Sequence, residues 1–463
     1  MYRYLTILVI SVAVLSRLLL CWENPPGNSF DDHYQPISQI LTTGHLPNQD
    51  DCFQCYNPPV YYLSSALFAQ VLIKTGMTPD AITKALQFLN CLYSILNLMV
   101  LYLILRRLHF SETSRFLAFS IVCFLPRQLY MAAIHSNDNL SYLAVSLCAY
   151  LLLVTIDKKL NWPFAVLLSI IVTLAIFVKY TCYVVLPMVA VPMTTLTIRR
   201  STIPRRKAVR ALLIVLIPPL FLLGCYLANN LKESGHLLPW NDSMINTSLV
   251  HPRDPEAVSF ISFLPLQYVS EPLVKPGQIH SFWTLIYSGM WVDNEPKFTF
   301  FTDPNQDWWR DYTSWETGEA PFPSAPSPIS TTTRVISTGL LLSGLLPLCL
   351  IFIGLARCAL LAIPGKNPGP VDEAAKFQIF PLILAFNTVG IILLVLKAPV
   401  YSSMKASYFL NSLPSFVVFI ALSVQFLGNK TWVKAFIHSV VCVIAVLTSL
   451  YALRIDWALS LLK

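Results

Sequence analysis

Charge is what this chain has least of. Asp, Glu, Lys and Arg make up 12% of its 463 residues, about half the share found in soluble domains, while 55% are hydrophobic. A water-soluble enzyme of that make-up would expose apolar surface and aggregate, so that class is excluded. A cleavage site is also missing. Ser16-Arg17-Leu18-Leu19-Leu20-Cys21 has no small-x-small pattern, so the first apolar run reads as a retained span and not a secretory signal. No second cysteine pair and no thioredoxin-like βαβ pattern accompany Cys52-x-x-Cys55. Their absence argues against a zinc half-site or a redox motif and favours a short disulfide in an oxidising compartment.

Long apolar runs fill the rest. Crossing roughly 30 Å of hydrocarbon takes about 20 apolar residues. Runs near that length lie at 5–21, 85–105, 115–134, 140–156, 162–178, 181–198, 209–227, 335–356, 378–396, 406–427 and 435–453. The expected fold is all-α: a single polytopic transmembrane domain over 1–463 with about eleven spans. Between them sit basic clusters at Arg106, Arg107 and Arg115, at Lys158 and Lys159, from Arg199 to Arg210, and at Lys430 and Lys434. All fall on one side if the spans alternate. Positive residues in short loops resist translocation, so that side is the cytoplasm and the amino terminus lies there too. The net charge of +8 is thus an orientation signal, and nucleic acid is not an expected partner.

The apolar stretch from Val60 to Ile73 follows Asn57-Pro58-Pro59. Counting it as a span would turn every later basic cluster outward, so it is expected to lie along the outer surface as a juxtamembrane helix. The two prolines suit its first turn, which has no use for their missing amide hydrogens. Two extracytoplasmic loops are then long, 22–84 and 229–334. The second carries Trp283, Trp291, Asp303, Asp307, Trp308, Trp309 and Trp315. Indoles beside carboxylates suit stacking on sugar faces with hydroxyl acceptors nearby, and equally suit an interfacial aromatic belt.

The first loop holds the sharpest signal, Ser29-Phe30-Asp31-Asp32-His33-Tyr34. Adjacent carboxylates repel, which raises one proton affinity. One can then accept a proton from a nucleophile while the other orients it or binds a cation. The plain alternative is a solvated loop or a helix cap.

These residues resemble the GT-C superfamily of membrane glycosyltransferases, in particular the branch of protein O-mannosyltransferases and lipid A aminoarabinose transferases. Asp31-Asp32 stands where the family has an acidic motif after the first helix. Pro58-Pro59-Val60-Tyr61-Tyr62 resembles its Pro-Pro-Leu-Tyr-Tyr helix, and His135-Ser136-Asn137-Asp138-Asn139-Leu140 its Asn-Asp-Ala-Leu stretch. Val178-Lys179-Tyr180-Thr181 resembles a Thr-Lys-Tyr-Thr turn, and the segment from Lys405 to Pro414 an Arg-Tyr-x-Leu-Pro segment. Coverage runs over about residues 1 to 425. The chain departs from the pattern at Asp32, often Glu; at Asn57, often His or Lys; and at Lys405, often Arg.

The resemblance implies transfer of a hexose or pentose from a polyprenyl-phosphate sugar donor to a protein, glycan or lipid acceptor on the extracytoplasmic side, with inversion at the anomeric carbon. Asp31 is the implied general base and Asp32 its neighbour. Lys179, Lys405 and Arg127 are candidate partners of the donor phosphate, or else snorkelling anchors. His33, Asn137, Asp138 and Tyr61 are candidates for contact with the acceptor or for supporting the site, and a cap by Asn137 or Asp138 is the plain reading. A divalent metal at Asp31, Asp32 and His33 is left open, because relatives differ in metal use. A bacterial plasma membrane is expected over the endoplasmic reticulum, for want of a retrieval signal. Rival readings are a lipid or solute transporter, which would be expected to show internal repeats and polar groups at the midplane, and a catalytically silent membrane subunit.

Overall fold

The computed structural model describes residues 2–24, 26, 32–199, 201–239, 258–264, 281–292, 331–364, 370–397, 403–428 and 430–452, with backbone alone at 331–334 and 451–452. Asp31, Asp303, Asp307, Trp308, Trp309 and Trp315 lie outside them. Among the described residues the chain is a stack of helices with a single isolated β-bridge. In chain order these are α1 (Tyr2–Glu23), α2 (Tyr34–Thr43), α3 (Val60–Lys74), α4 (Pro79–Arg107), α5 (Glu112–Cys123), α6 (Pro126–Ala132), α7 (Asp138–Asp157) and α8 (Trp162–Ile176). A 3₁₀ turn, Tyr180–Val184, leads into α9 (Val185–Ile198), followed by α10 (Arg205–Ser234), α11 (Phe282–Trp291), α12 (Thr331–Ser343), α13 (Leu345–Ala362) and α14 (Val371–Lys397). A second 3₁₀ turn, Ala406–Ser412, precedes α15 (Leu413–Leu427), and α16 (Thr431–Ala452) closes the series.

Every expected span is helical, and nine helical segments among the described residues are long and apolar enough to cross a membrane. Two expected spans fall short of that length. One is α8, with 15 residues, and the other is broken into α5 and α6. The break lies at Pro126. Its ring forces Leu125 into an extended conformation (ψ 113°), which ends α5 two residues earlier. Local chemistry sets other boundaries. Thr78 caps α4 by accepting from the Ala81 amide at 3.4 Å, with Pro79 at the first helical position, and Ser111 caps α5 through the Ser114 amide at 3.2 Å. Between α13 and α15 the backbones approach so closely that a Cβ on Gly354 would sit 1.9 Å from the Phe419 carbonyl oxygen. Small residues make such helix contacts possible in a bilayer, where no hydrophobic force drives helices together.

The helix expected along the outer surface begins right after Pro59, as its sequence suggested. At 1.5 Å per residue its 15 residues reach about 22 Å, short of the hydrocarbon thickness. Tyr61, Tyr62, Ala66 and Ala69 pack it on Ile37 of α2 and on Ile82 and Leu86 of α4, in a small core separate from the main one. Its first amide donates to the Phe177 carbonyl at 2.9 Å, tying the start of α3 to the end of α8.

The two ends of the bundle differ. At one end an ionic network joins α4, α7 and α14. There Arg107 pairs with Asp157, Lys376 with Asp157 (2.5 Å) and Glu373 (2.6 Å), and Asp372 with Lys159 (3.1 Å) and Thr202. The opposite end holds the residues singled out by the sequence. Cysteine labelling tests which end faces out. In a variant freed of reactive thiols, an impermeant maleimide added outside intact cells is expected to modify His45→Cys and to leave Arg206→Cys untouched. The opposite pattern would turn the molecule over and move the site to the cytoplasm.

Candidate functional site

The site end is organised by the way α1 terminates. Its last carbonyls lack intrahelical partners. Lys84, one turn into α4, supplies them: its Nζ donates to Cys21 O (2.5 Å), Trp22 O (3.0 Å) and Asn24 O (2.8 Å), a cation at the negative end of the helix dipole. Gln87 Nε2 reaches both Asn24 O (3.2 Å) and Ala133 O (2.7 Å), and Asn24 Nδ2 also donates to Ala133 O (3.1 Å). The chain therefore leaves α1 pinned to α4 and to the end of α6. Beyond Pro26 the described chain resumes at Asp32, an exposed carboxylate whose Oδ1 accepts from the amides of Tyr34 (2.9 Å) and Gln35 (3.3 Å). Asp32 thus acts as the cap of α2. A short loop beyond α2 is closed by the disulfide Cys52–Cys55, whose Cα atoms are 5.1 Å apart, and Gln39 Nε2 ties it to α2 through Asp51 O at 3.2 Å.

From Asp32 a run of rings leads inward. Buried His33 shares a hydrogen bond with Tyr62 (Nδ1 to OH, 2.9 Å) and lies stacked on it at 6.0 Å. It meets Tyr61 edge-on at 6.1 Å, and Tyr61 in turn lies 6.2 Å from His135. The Tyr61 hydroxyl accepts from Asn90 Nδ2 at 3.0 Å. Burial, and next the nearby His33, push His135 down to about 3, so its imidazole is neutral across the physiological range. His135 Nε2 and both polar atoms of the Asn137 side chain are buried, with no hydrogen-bond partner among the described residues. Asn137 occupies the N-cap position of α7 but makes no capping bond. The Ser136 hydroxyl bonds instead to the Asp138 amide and carboxylate, both at 3.3 Å.

Asp138 then meets Lys179. The ammonium donates to Asp138 Oδ1 at 2.6 Å, with the side chains 12% and 7% exposed for Lys179 and Asp138, and lies 5.4 Å from the centre of the Tyr408 ring. Tyr408 belongs to the 3₁₀ turn of 406–412. That turn is fixed against α7 by Tyr142 OH donating to Ser407 O (2.8 Å) and Ser141 Oγ donating to Asn411 Oδ1 (3.1 Å). Half-buried Lys405 opens the same turn, its carbonyl accepting from the Tyr408 amide at 3.2 Å. Arg127, the third candidate for the donor phosphate, lies deeper than Lys405. It is 1% exposed, in α6, which packs on α11 and on the 406–412 turn.

The fold thus brings His33, Tyr61, His135, Asn137, Asp138 and Lys179 into one connected patch, with Lys405 next to it in the chain. Sequence reasoning missed Lys84, Gln87 and Tyr408. A lysine one turn into a helix that follows a short outer segment is a recognisable signal for a capping cation. Nothing in the sequence marked the aromatic face under Lys179. The described donors do not by themselves make a metal site. Asp32 is turned to its cap, His33 Nδ1 is engaged by Tyr62, Asp138 holds an ammonium, and no three His, Cys, Asp or Glu side chains converge among the described residues. Trp283 and Trp291 from the second long loop are committed elsewhere. Trp283 Nε1 donates to Phe260 O at 2.7 Å, and Trp291 fills the space that a Cβ on Gly344 would need.

Residues 57–223 match the family described as dolichyl-phosphate-mannose-protein mannosyltransferase, a stretch that runs from the start of α3 into α10 and contains Tyr61, His135, Asp138 and Lys179. No curated protein sequence matches the chain. Among solved structures, an oligosaccharyltransferase from Archaeoglobus fulgidus, crystallised with Zn and sulfate, shares the fold with a TM-score of 0.51 at 11% identity. The alignment covers 96% of this chain and 53% of that one, so the chain spans about half the length of this relative. The arabinofuranosyltransferase AftD from Mycobacteria (TM-score 0.46, 13% identity, 98% and 27% coverage) and ArnT from Cupriavidus metallidurans (0.35, 14%, 91% and 77%) are more distant in shape. Over 57–223, about a third of its length, this multi-pass membrane protein is thus similar to the dolichyl-phosphate-mannose-protein mannosyltransferase family, and its helical fold is like that of the archaeal oligosaccharyltransferase.

Proposed function

We propose that the chain transfers a hexose or pentose from a polyprenyl-phosphate donor to a protein, glycan or lipid acceptor on the extracytoplasmic face, the end that carries Asp138 and Lys179. The observation that carries this reading is a largely buried cation held by a carboxylate at the end of a transmembrane bundle. Lys179, positioned by Asp138, lies at the bundle end where the phosphate of a lipid carrier would meet the helices. The family matched over 57–223 is itself named for a dolichyl-phosphate sugar.

In the proposed reaction Asp31 takes the proton from the acceptor hydroxyl as its oxygen attacks the anomeric carbon. The bond from that carbon to the phosphate oxygen breaks with inversion, and the electron pair leaves on the polyprenyl phosphate. The ammonium of Lys179, joined by Lys405, stabilises the charge gathering on that phosphate. Asp138 is a positioning residue: it fixes Lys179 and does not touch the reacting atoms. His135 stays neutral, so it can serve as hydrogen-bond donor or acceptor to a hydroxyl but not as a charge.

The test is direct. Purified protein in lipid nanodiscs, supplied with a panel of polyprenyl-phosphate hexoses and pentoses and a membrane acceptor fraction, is expected to release polyprenyl phosphate in step with acceptor glycosylation. If no member of the panel binds or turns over while the protein moves labelled lipid between leaflets, the transferase reading is overturned in favour of transport.

A further inference from the structure

At the end of the bundle opposite this site, the ends of α1, α4 and α5 enclose a pocket of about 340 Å³ whose lining includes Tyr2, Arg3, Tyr102, Arg106, Glu112 and Arg115. Three guanidinium groups share one small space with a single carboxylate. None of these four charged side chains makes an ion pair within 4 Å among the described residues. Arg107 shows what the alternative looks like: next in sequence to Arg106, it turns the other way and pairs with Asp157. Three cations beside one carboxylate leave an excess of positive charge that repels itself, and planar guanidinium forks match phosphate oxygens two at a time.

What lies under the arginines decides the kind of phosphate. Ile7 is four residues on from Arg3, and Leu103 three residues before Arg106, so each shares a helix face with its arginine, one turn deeper toward the middle of the bundle. Both are exposed, at 54% and 38%. A cationic pocket thus sits directly above apolar surface turned away from the protein. That arrangement fits a headgroup phosphate with acyl chains below it, and a free anion would make no use of the lower half.

We propose that this pocket is a binding site for an anionic phospholipid of the leaflet opposite the transferase site. The phosphodiester is held by Arg3, Arg106 and Arg115, and the chains run down α1 and α4 past Ile7 and Leu103. The proposal goes beyond the orientation role of basic loop residues, because it requires a defined site of a few copies and not a diffuse attraction. It is also independent of the sugar transferred.

Native mass spectrometry of the detergent-purified protein titrated with phosphatidylglycerol or phosphatidylcholine reads it out. The wild type is expected to retain one or two phosphatidylglycerol molecules at least tenfold more tightly than phosphatidylcholine. The triple variant Arg3→Gln, Arg106→Gln, Arg115→Gln should lose that preference, and the control Arg205→Gln, Arg206→Gln should keep it. Equal retention of both lipids, or an unchanged preference in the triple variant, would overturn the proposal. If water-soluble glycerol phosphate or inorganic phosphate displaces the lipid at matching concentrations, the pocket is a soluble-anion site and the lipid assignment fails. A measurement on the wild type guards against a variant that does not fold. A phosphatidylglycerol with a photoreactive group near its headgroup should crosslink within residues 2–7, 102–106 and 112–115, and crosslinks confined elsewhere would refute the site.

Discussion

Asp31→Asn is expected to transfer sugar about 10²- to 10⁴-fold more slowly than the wild type while binding the donor lipid nearly as well. Asparagine keeps the volume and most of the hydrogen bonding of aspartate but cannot take a proton at neutral pH, so only the step that needs a base suffers. The loss should appear in kcat and leave the donor Kd within a few-fold. Asp32→Asn is the companion measurement. Because Asp32 Oδ1 caps α2, and asparagine caps nearly as well as aspartate, that variant should fold normally and lose far less activity. Near wild-type transfer by Asp31→Asn would remove Asp31 as the base and pass the role to Asp32 or Asp138.

Breaking the pair of Asp138 and Lys179 should have the other large effect, with a different signature. Removing one partner of a largely buried ion pair leaves a charge without compensation, at a cost of about 3–5 kcal/mol. Lys179→Ala is therefore expected both to lower the thermal midpoint in detergent and to weaken donor binding, since in the proposed reaction the cation meets the phosphate in ground state and transition state alike. Stability and function separate in the double variant Asp138→Asn, Lys179→Met. With no stranded charge it should regain most of the stability and still bind donor poorly. A double variant that recovers both would show the pair to be structural only, and one that recovers neither would mean that Asp138 has contacts beyond Lys179.

Much of the fold was legible in the sequence because a membrane span must be both long and apolar, and few other demands shape it. Its interruptions were harder to read. Pro126 lies inside the run 115–134, and the rule that the residue before proline avoids helix would have split that run. Apolar continuity hid the break. Arg17 shows the opposite blindness. It lies fully buried within the first span, donating to Ser94 Oγ (3.2 Å), Ala13 O (3.0 Å) and Cys123 O (3.2 Å), and only the packing of α1 on α4 and α5 reveals those partners.

The site was readable as an inventory of residues and much less as a geometry. Asp138 and Lys179 each stood out as a charge at a helix end, but they are 41 positions apart in the chain, and α7 and α8 must fold back on each other before the two touch. The acidic pair divided in a way that no spacing could announce. Asp32 went to the cap that was its plain alternative, while Asp31 lies outside the described residues. The cap expected of Asn137 was made by Ser136, two residues before the start of α7.

That exchange of roles at the start of α7 also bears on hydration. With Ser136 doing the capping, the amide of Asn137 and the Nε2 of His135 are left as buried polar atoms that the described protein does not satisfy, a condition that ordered water ordinarily relieves. Water in such a place has the hydrogen-bonding valence of a sugar or acceptor hydroxyl. A hydroxyl reaching His135 and Asn137 would take the place of such a water and break no hydrogen bond made by these side chains among the described residues, so ligands that differ in the position of their hydroxyls would meet the same protein atoms.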